Sequence, residues 1–73
     1  MTTYRTRDTI GDRIRTARKD SNLTQRGLAL LLGTTENHIW IWETGRSKPD
    51  YENITRLCRA LHVSADWLLG LEE

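Results

Sequence analysis

The chain has 73 residues, one cysteine and a net charge of +1, with 29% of its residues charged. A chain this short holds one domain, and a lone cysteine excludes an intrachain disulfide and fits a reducing compartment. Its longest unbroken apolar run, Leu28–Leu32, falls far short of the roughly 20 residues a membrane-spanning helix needs.

Met1–Asp8 is polar and lacks the charged-then-apolar layout of a signal peptide, so the chain reads as soluble and cytoplasmic. Residues 1–8 are expected to form a flexible basic arm exposing Arg5 and Arg7, with the folded domain over 9–73. Thr9 suits the N-cap of a first helix, with Asp12 in its first turn and Ile10, Ile14 and Ala17 facing inward. That helix should end near Ser21-Asn22. Thr24 caps a second helix, where Leu23 and Leu28 occupy the two positions of a hydrophobic staple. Leu28, Ala29 and Leu32 form its inward stripe, and Gly33 suits a left-handed helix end.

Thr35 caps a third helix with Ile39 and Trp42 inward, and Gly45 closes it. Pro49 prevents the loop from Gly45 to Pro49 from continuing that helix. Asp50 caps a fourth helix, whose Ile54, Leu57, Cys58 and Leu61 lie at i, i+3, i+4 and i+7. His62 marks the exit, Val63 returns to the core, and Ser64 caps a short fifth helix ending at Gly70. No stretch alternates in the manner of a strand. The predicted class is all-α, with five helices.

The small net charge conceals an uneven distribution. Residues 1–49 carry nine Lys/Arg and five Asp/Glu, whereas residues 50–73 carry two and five. A basic half joined to an acidic half suits a surface facing a polyanion, although a solvated surface of mixed charge has the same count.

The stretch Gln25–Thr44 resembles the helix-turn-helix of the lambda-repressor-like (Xre-type) family. Counting from Gln25, the family's small residue falls on Ala29, its turn glycine on Gly33, and its inward apolar positions on Leu28, Leu32, Ile39 and Trp42. The resemblance runs from Ile10 to Gly70. It takes in Arg-Ile-Arg-Thr-Ala-Arg at 13–18, Leu-Thr-Gln at 23–25, Trp-Glu-Thr-Gly at 42–45, Lys-Pro at 48–49 and Ala-Asp-Trp-Leu-Leu-Gly at 65–70.

The resemblance implies a transcriptional regulator of repressor type that binds double-stranded DNA, with recognition helix 35–44 in the major groove. It also implies a homodimer on a two-fold symmetric operator. Neither a cofactor, a metal nor a small-molecule substrate is expected. At about 100° per residue, Asn37, Trp40, Ile41 and Thr44 lie opposite Ile39 and Trp42, with Glu36 at the edge. Asn37 can pair bidentately with adenine, and Ile41 offers apolar contact to a thymine methyl. Glu36 can accept from cytosine or serve its own helix dipole. Trp40 can pack on sugars and methyl groups, or on a protein.

Phosphate contacts are expected from Gln25 and Arg26 at the second helix, from Thr44, and from Arg46, Ser47 and Lys48 in the following loop. By resemblance, Arg18 and Glu43 form a structural ion pair rather than a DNA contact. Two departures from the family pattern stand out. Trp40 and Ile41 replace residues that are usually polar, and Gly27 removes half of a capping box. The large outward apolar residues leave open a second function with the same fold, an adaptor or antitoxin using the Trp40/Ile41 face.

An enzyme is the third class. Cys58 and His62 are four residues apart, but Cys58 lies in a core stripe and His62 at a helix exit, with no activated nucleophile implied. At the far end, Trp67, Leu68, Leu69 and Leu71 are more apolar side chains than a short helix can bury. Trp67, Leu69 and Leu71 are therefore the candidate dimer contacts.

Overall fold

The computed structural model describes residues 8–71. The expected arm, apart from Asp8, lies outside the described residues, as do Glu72 and Glu73. The elements are α1 (Ile10–Asp20), α2 (Gln25–Leu32), α3 (Glu36–Glu43), α4 (Tyr51–Leu61) and α5 (Ala65–Leu68). Among the described residues there is no strand, and the class is all-α as the sequence predicts. No helix among them is long and apolar enough to cross a membrane.

Each helix starts on a side-chain cap. Thr9, Thr24, Thr35, Asp50 and Ser64 each accept a hydrogen bond from the backbone amide three residues on. Thr9 and Asp12 complete a reciprocal capping box. Thr24 accepts from Gly27, but glycine cannot return the second bond.

Each helix also ends on a residue with positive φ: Asn22, Gly33, Gly45, His62 and Gly70. The next amide reaches back to a carbonyl five residues earlier, as in Leu23 to Arg18, Thr34 to Ala29 and Arg46 to Ile41. Val63 to Cys58 and Leu71 to Asp66 repeat the closure. Helices this short gain little from propensity alone, so such caps and tertiary burial hold them.

The core takes one fully buried side chain from every helix: Ile14, Leu28, Ile39, Leu57 and Leu68. Ala17, Ala29, Leu32, Trp42 and Leu61 complete it. Burying a side chain such as Leu57 contributes about 1.5–3 kcal/mol, a large share of the stability of a domain this small. Of the apolar run Leu28–Leu32, Leu30 and Leu31 face outward and stay exposed. The α4 stripe is unequally covered, with Leu57 and Leu61 buried but Ile54 and Cys58 half-buried against the core.

Contact between α1 and α3 is closer than any side-chain pattern indicates. A Cβ on Gly11 would collide with the carbonyl oxygen of Trp42 and lie 2.7 Å from that of Glu43. Both partners are backbone atoms at the end of α3, so they cannot turn aside. Gly11→Ala is expected to cost about 1–3 kcal/mol through overpacking, even though alanine is the better helix former. Urea unfolding of the two proteins measures it, and a stabilised variant would mean that the helices are not in this contact.

Candidate nucleic-acid interface

The carboxylate of Glu43, at the last turn of α3, is fully buried and gathers donors from two other helices. From α1, Arg18 donates through Nε to Oε2 at 2.6 Å and through Nη2 to Oε1 at 3.0 Å. This two-point pairing is the strong form of a carboxylate–guanidinium contact. A third Arg18 nitrogen, Nη1, donates to the Leu23 carbonyl ahead of α2. Arg15 adds a longer contact, Nε to Oε1 at 3.4 Å, and Gln25 of α2 donates through Nε2 to Oε1 at 3.1 Å.

Burial by itself raises the Glu43 pKa. The bonds from Arg18 and Gln25, the charge of Arg18 and the bond from Arg15 outweigh it and hold the pKa below the ordinary glutamate value. The carboxylate is therefore ionised and fixed. The expected Arg18–Glu43 pair is present, whereas the contributions of Arg15 and Gln25 were not anticipated. Arg15 was detectable in principle, since it lies three residues from Arg18 on the same side of α1.

With Ile39, Trp42 and Glu43 buried, α3 presents Glu36, Asn37, His38 and Trp40 outward. Glu36 and Asn37 are exposed in its first turn. The Asn37 amide makes no hydrogen bond among the described residues and keeps its donor and acceptor available. His38, which is not among the expected DNA contacts, stacks on Trp42 with ring centroids 6.1 Å apart, and its Nδ1 lies 2.7 Å from the Thr34 hydroxyl.

Ile41 was expected to point outward but is half-buried and packed against the core, which reduces the apolar surface it can offer. Trp40 is 40% exposed, with the Arg46 guanidinium 4.9 Å from its ring centroid. The Thr44 hydroxyl donates to the Trp40 carbonyl at 2.8 Å, so in this rotamer it has no proton to give a phosphate.

Two flanks border this face. At the start of α2, Arg26 is exposed, and Gln25 is half-buried with its amide nitrogen held by Glu43. That nitrogen has a second N–H, so the side chain is oriented rather than consumed. Beyond α3, Arg46, Ser47 and Lys48 are all exposed in the loop before the buried Pro49.

At the far end of the chain the expected apolar surplus divides differently. Leu68 is fully buried, and Trp67 is half-buried against the core. The Arg13 guanidinium lies 5.2 Å from the Trp67 ring centroid, and its Nη1 donates to the Trp67 carbonyl at 2.9 Å. Trp67 is thus partly engaged within its own domain, which leaves less of its ring for the expected dimer contact. Leu69 and Leu71 remain exposed at 45% and 66%.

Five capped helices, the turn at Gly33 and an outward third helix together define a helix-turn-helix domain. The chain belongs to the lambda-repressor-like helix-turn-helix family, and the family's helix-turn-helix domain model matches residues 9–68. It is 41% identical over 65 residues to the HTH-type transcriptional regulator DicA of Escherichia coli, a match covering 89% of this chain and 48% of that protein. It is 37% identical over 60 residues to Repressor protein C2 of Salmonella phage P22, covering 82% of this chain and 28% of the repressor.

The chain therefore spans half or less of the length of these curated relatives. Among solved structures, the P22 c2 repressor in complex with a synthetic operator superposes with a TM-score of 0.84 at 34% identity, covering 89% of this chain and 98% of that one. The restriction-modification controller protein C.AhdI of Aeromonas hydrophila matches with a TM-score of 0.77 at 30% identity, covering 82% and 87%.

Arg18→Ala is expected to destabilise the fold by about 3 kcal/mol, near the lower end for a broken buried pair because Arg15 and Gln25 still face Glu43. An unchanged melting temperature would contradict the pair's role. Because the Glu43 pKa is lower folded than unfolded, its stabilising contribution is complete above the unfolded value, about 4.3, and is lost as the pH falls through the folded one. Denaturant titrations below pH 5 (roughly the onset of carboxylate protonation) should show a steeper acid loss for the wild type than for Glu43→Gln. Parallel curves would refute this.

Proposed function

We propose that this chain is the sequence-specific double-stranded DNA-binding module of a cytoplasmic transcriptional regulator of repressor type. The observation that carries this reading is the arrangement of α3. One side is fixed through Ile39, Trp42 and Glu43, while the other presents Asn37 between two polar, basic flanks. The likeness to a repressor bound to its operator supports the same orientation.

In this reading α3 enters the major groove, and Asn37 pairs with an adenine through its free amide. Glu36 accepts from a cytosine at the groove edge, while the exposed part of Ile41 meets a thymine methyl. Gln25 and Arg26 hold one phosphate strand, and Arg46, Ser47 and Lys48 hold the other. Thr44 joins them only by turning its hydroxyl away from its own helix. No catalytic role is assigned to Cys58, since burial pushes its thiol pKa up, away from an activated nucleophile.

Two modules on a two-fold symmetric site must sit about 34–36 Å apart. Leu69 and Leu71, both exposed after α5, supply a small apolar contact for that purpose. The resulting dimer is weak in solution and reinforced on DNA.

The adaptor reading keeps the fold but gives the Trp40 face to a protein. Salt distinguishes the two, because binding through several phosphates weakens steeply with ionic strength. Selection of duplexes from a random pool should return sites with two half-sites one helical turn apart. Asn37→Ala should relax selection at one base pair per half-site, at a cost of about 1–3 kcal/mol on the preferred duplex. Lys48→Ala should weaken every duplex alike. A uniform loss from Asn37→Ala would remove it from the readers. For assembly, Leu71→Asp should shift a monomer–dimer equilibrium to monomer with helicity retained. Identical sedimentation of both proteins at every concentration would count against the contact.

A further inference from the structure

Trp40 and Arg46 are the two large side chains on the proposed DNA side that touch one another, and the backbone brings them together. Gly45 takes φ of 80°, its amide bonds to the Trp42 carbonyl, and the Arg46 amide bonds to the Ile41 carbonyl. This closure folds the chain back over the end of α3 and sets Arg46 above the preceding turn. The Arg46 guanidinium carbon then lies 4.9 Å from the centroid of the Trp40 ring. Both residues are exposed, so the contact is available to a ligand.

We infer that Trp40 is a positioning residue for Arg46, and that the stacked pair grips a DNA phosphate as one unit without reading bases. This rests on the DNA-binding reading above. A free arginine on a loop loses rotamer freedom when it grips a phosphate. Stacked on Trp40, Arg46 has lost part of that freedom before DNA arrives, which favours binding by preorganisation. With its carbon held over the ring, the guanidinium still has its N–H donors to offer a forked contact to two phosphate oxygens. The ring face beneath Arg46 is correspondingly unavailable for packing on bases. A tryptophan at a position expected to be polar thus adds affinity rather than sequence discrimination.

The test compares two duplexes, one selected from a random pool and one of random sequence, across a salt series. Trp40→Leu should weaken both alike, by about twofold to fivefold, the range of an exposed cation–π contact. Arg46→Ala should weaken both and reduce the slope of log affinity against log salt by about 0.9, one phosphate contact. The double variant should bind no more weakly than Arg46→Ala alone, because Trp40 acts through Arg46. Trp40→Phe, which keeps an aromatic face, should retain most of the affinity. Arg46→Lys, which lacks the flat fork, should not.

Additive losses in the double variant would overturn the inference, as would a Trp40→Leu loss confined to the selected duplex. A lowered melting temperature for Trp40→Leu with unchanged affinity would assign the contact to helix capping alone and equally overturn it. If the wild type bound neither duplex in a salt-dependent way, the DNA-binding reading itself would fail, and this inference with it.

Discussion

The arrangement of this small domain depends on one buried carboxylate. Glu43 ends α3, yet its charge is neutralised from α1 by Arg18 and Arg15 and further bonded from α2 by Gln25. A buried ion pair adds little net stability compared with an apolar replacement, because desolvation offsets much of the attraction. It does impose geometry, since a two-point guanidinium contact is satisfied over a narrow range of angles. The angle it fixes is that of α3 against the other two helices, and the outward face of α3 inherits it.

Gly11 enforces the same constraint by steric means. Its missing side chain lets the α1 backbone reach the carbonyls at the end of α3, beside the carboxylate that α1 also grips. Attraction and close approach therefore act on a single junction. Gln25 extends the junction toward the surface, because its amide nitrogen bonds to Glu43 from the first position of α2. A side chain at the candidate phosphate-binding edge is thus oriented by the group that sets the recognition helix.

The remaining stability is spread thinly. α5 is only four residues long, but Leu68 reaches the centre of the core, and Arg13 ties its carbonyl end to α1. Short helices tolerate this because their ends are defined locally, by a hydroxyl or carboxylate cap at the start and a left-handed residue at the finish. The outward surface is correspondingly free to diverge. Trp40 occupies it without disturbing the core, its aromatic face covered by Arg46 rather than by the protein interior.

The amino-acid sequence determined the helices and their inward faces, because those depend on contacts within a few residues. Thr9, Thr24, Thr35, Asp50 and Ser64 cap the helices as their residue types suggest, and Ile14, Leu28, Ile39 and Leu57 fall on the buried stripes. The Arg18–Glu43 pair was legible only through family resemblance, since the partners are 25 residues apart. Tertiary structure alone decided which surplus groups found partners. Trp67 turned inward beneath Arg13, Ile41 sank against the core, Thr44 bonded to its own helix, and Gln25 and Arg15 joined the Glu43 carboxylate. Periodicity assigns a residue to a side of its helix. How far a neighbouring helix covers that side, and which long polar chain reaches across, depends on interhelical distances that no local pattern encodes.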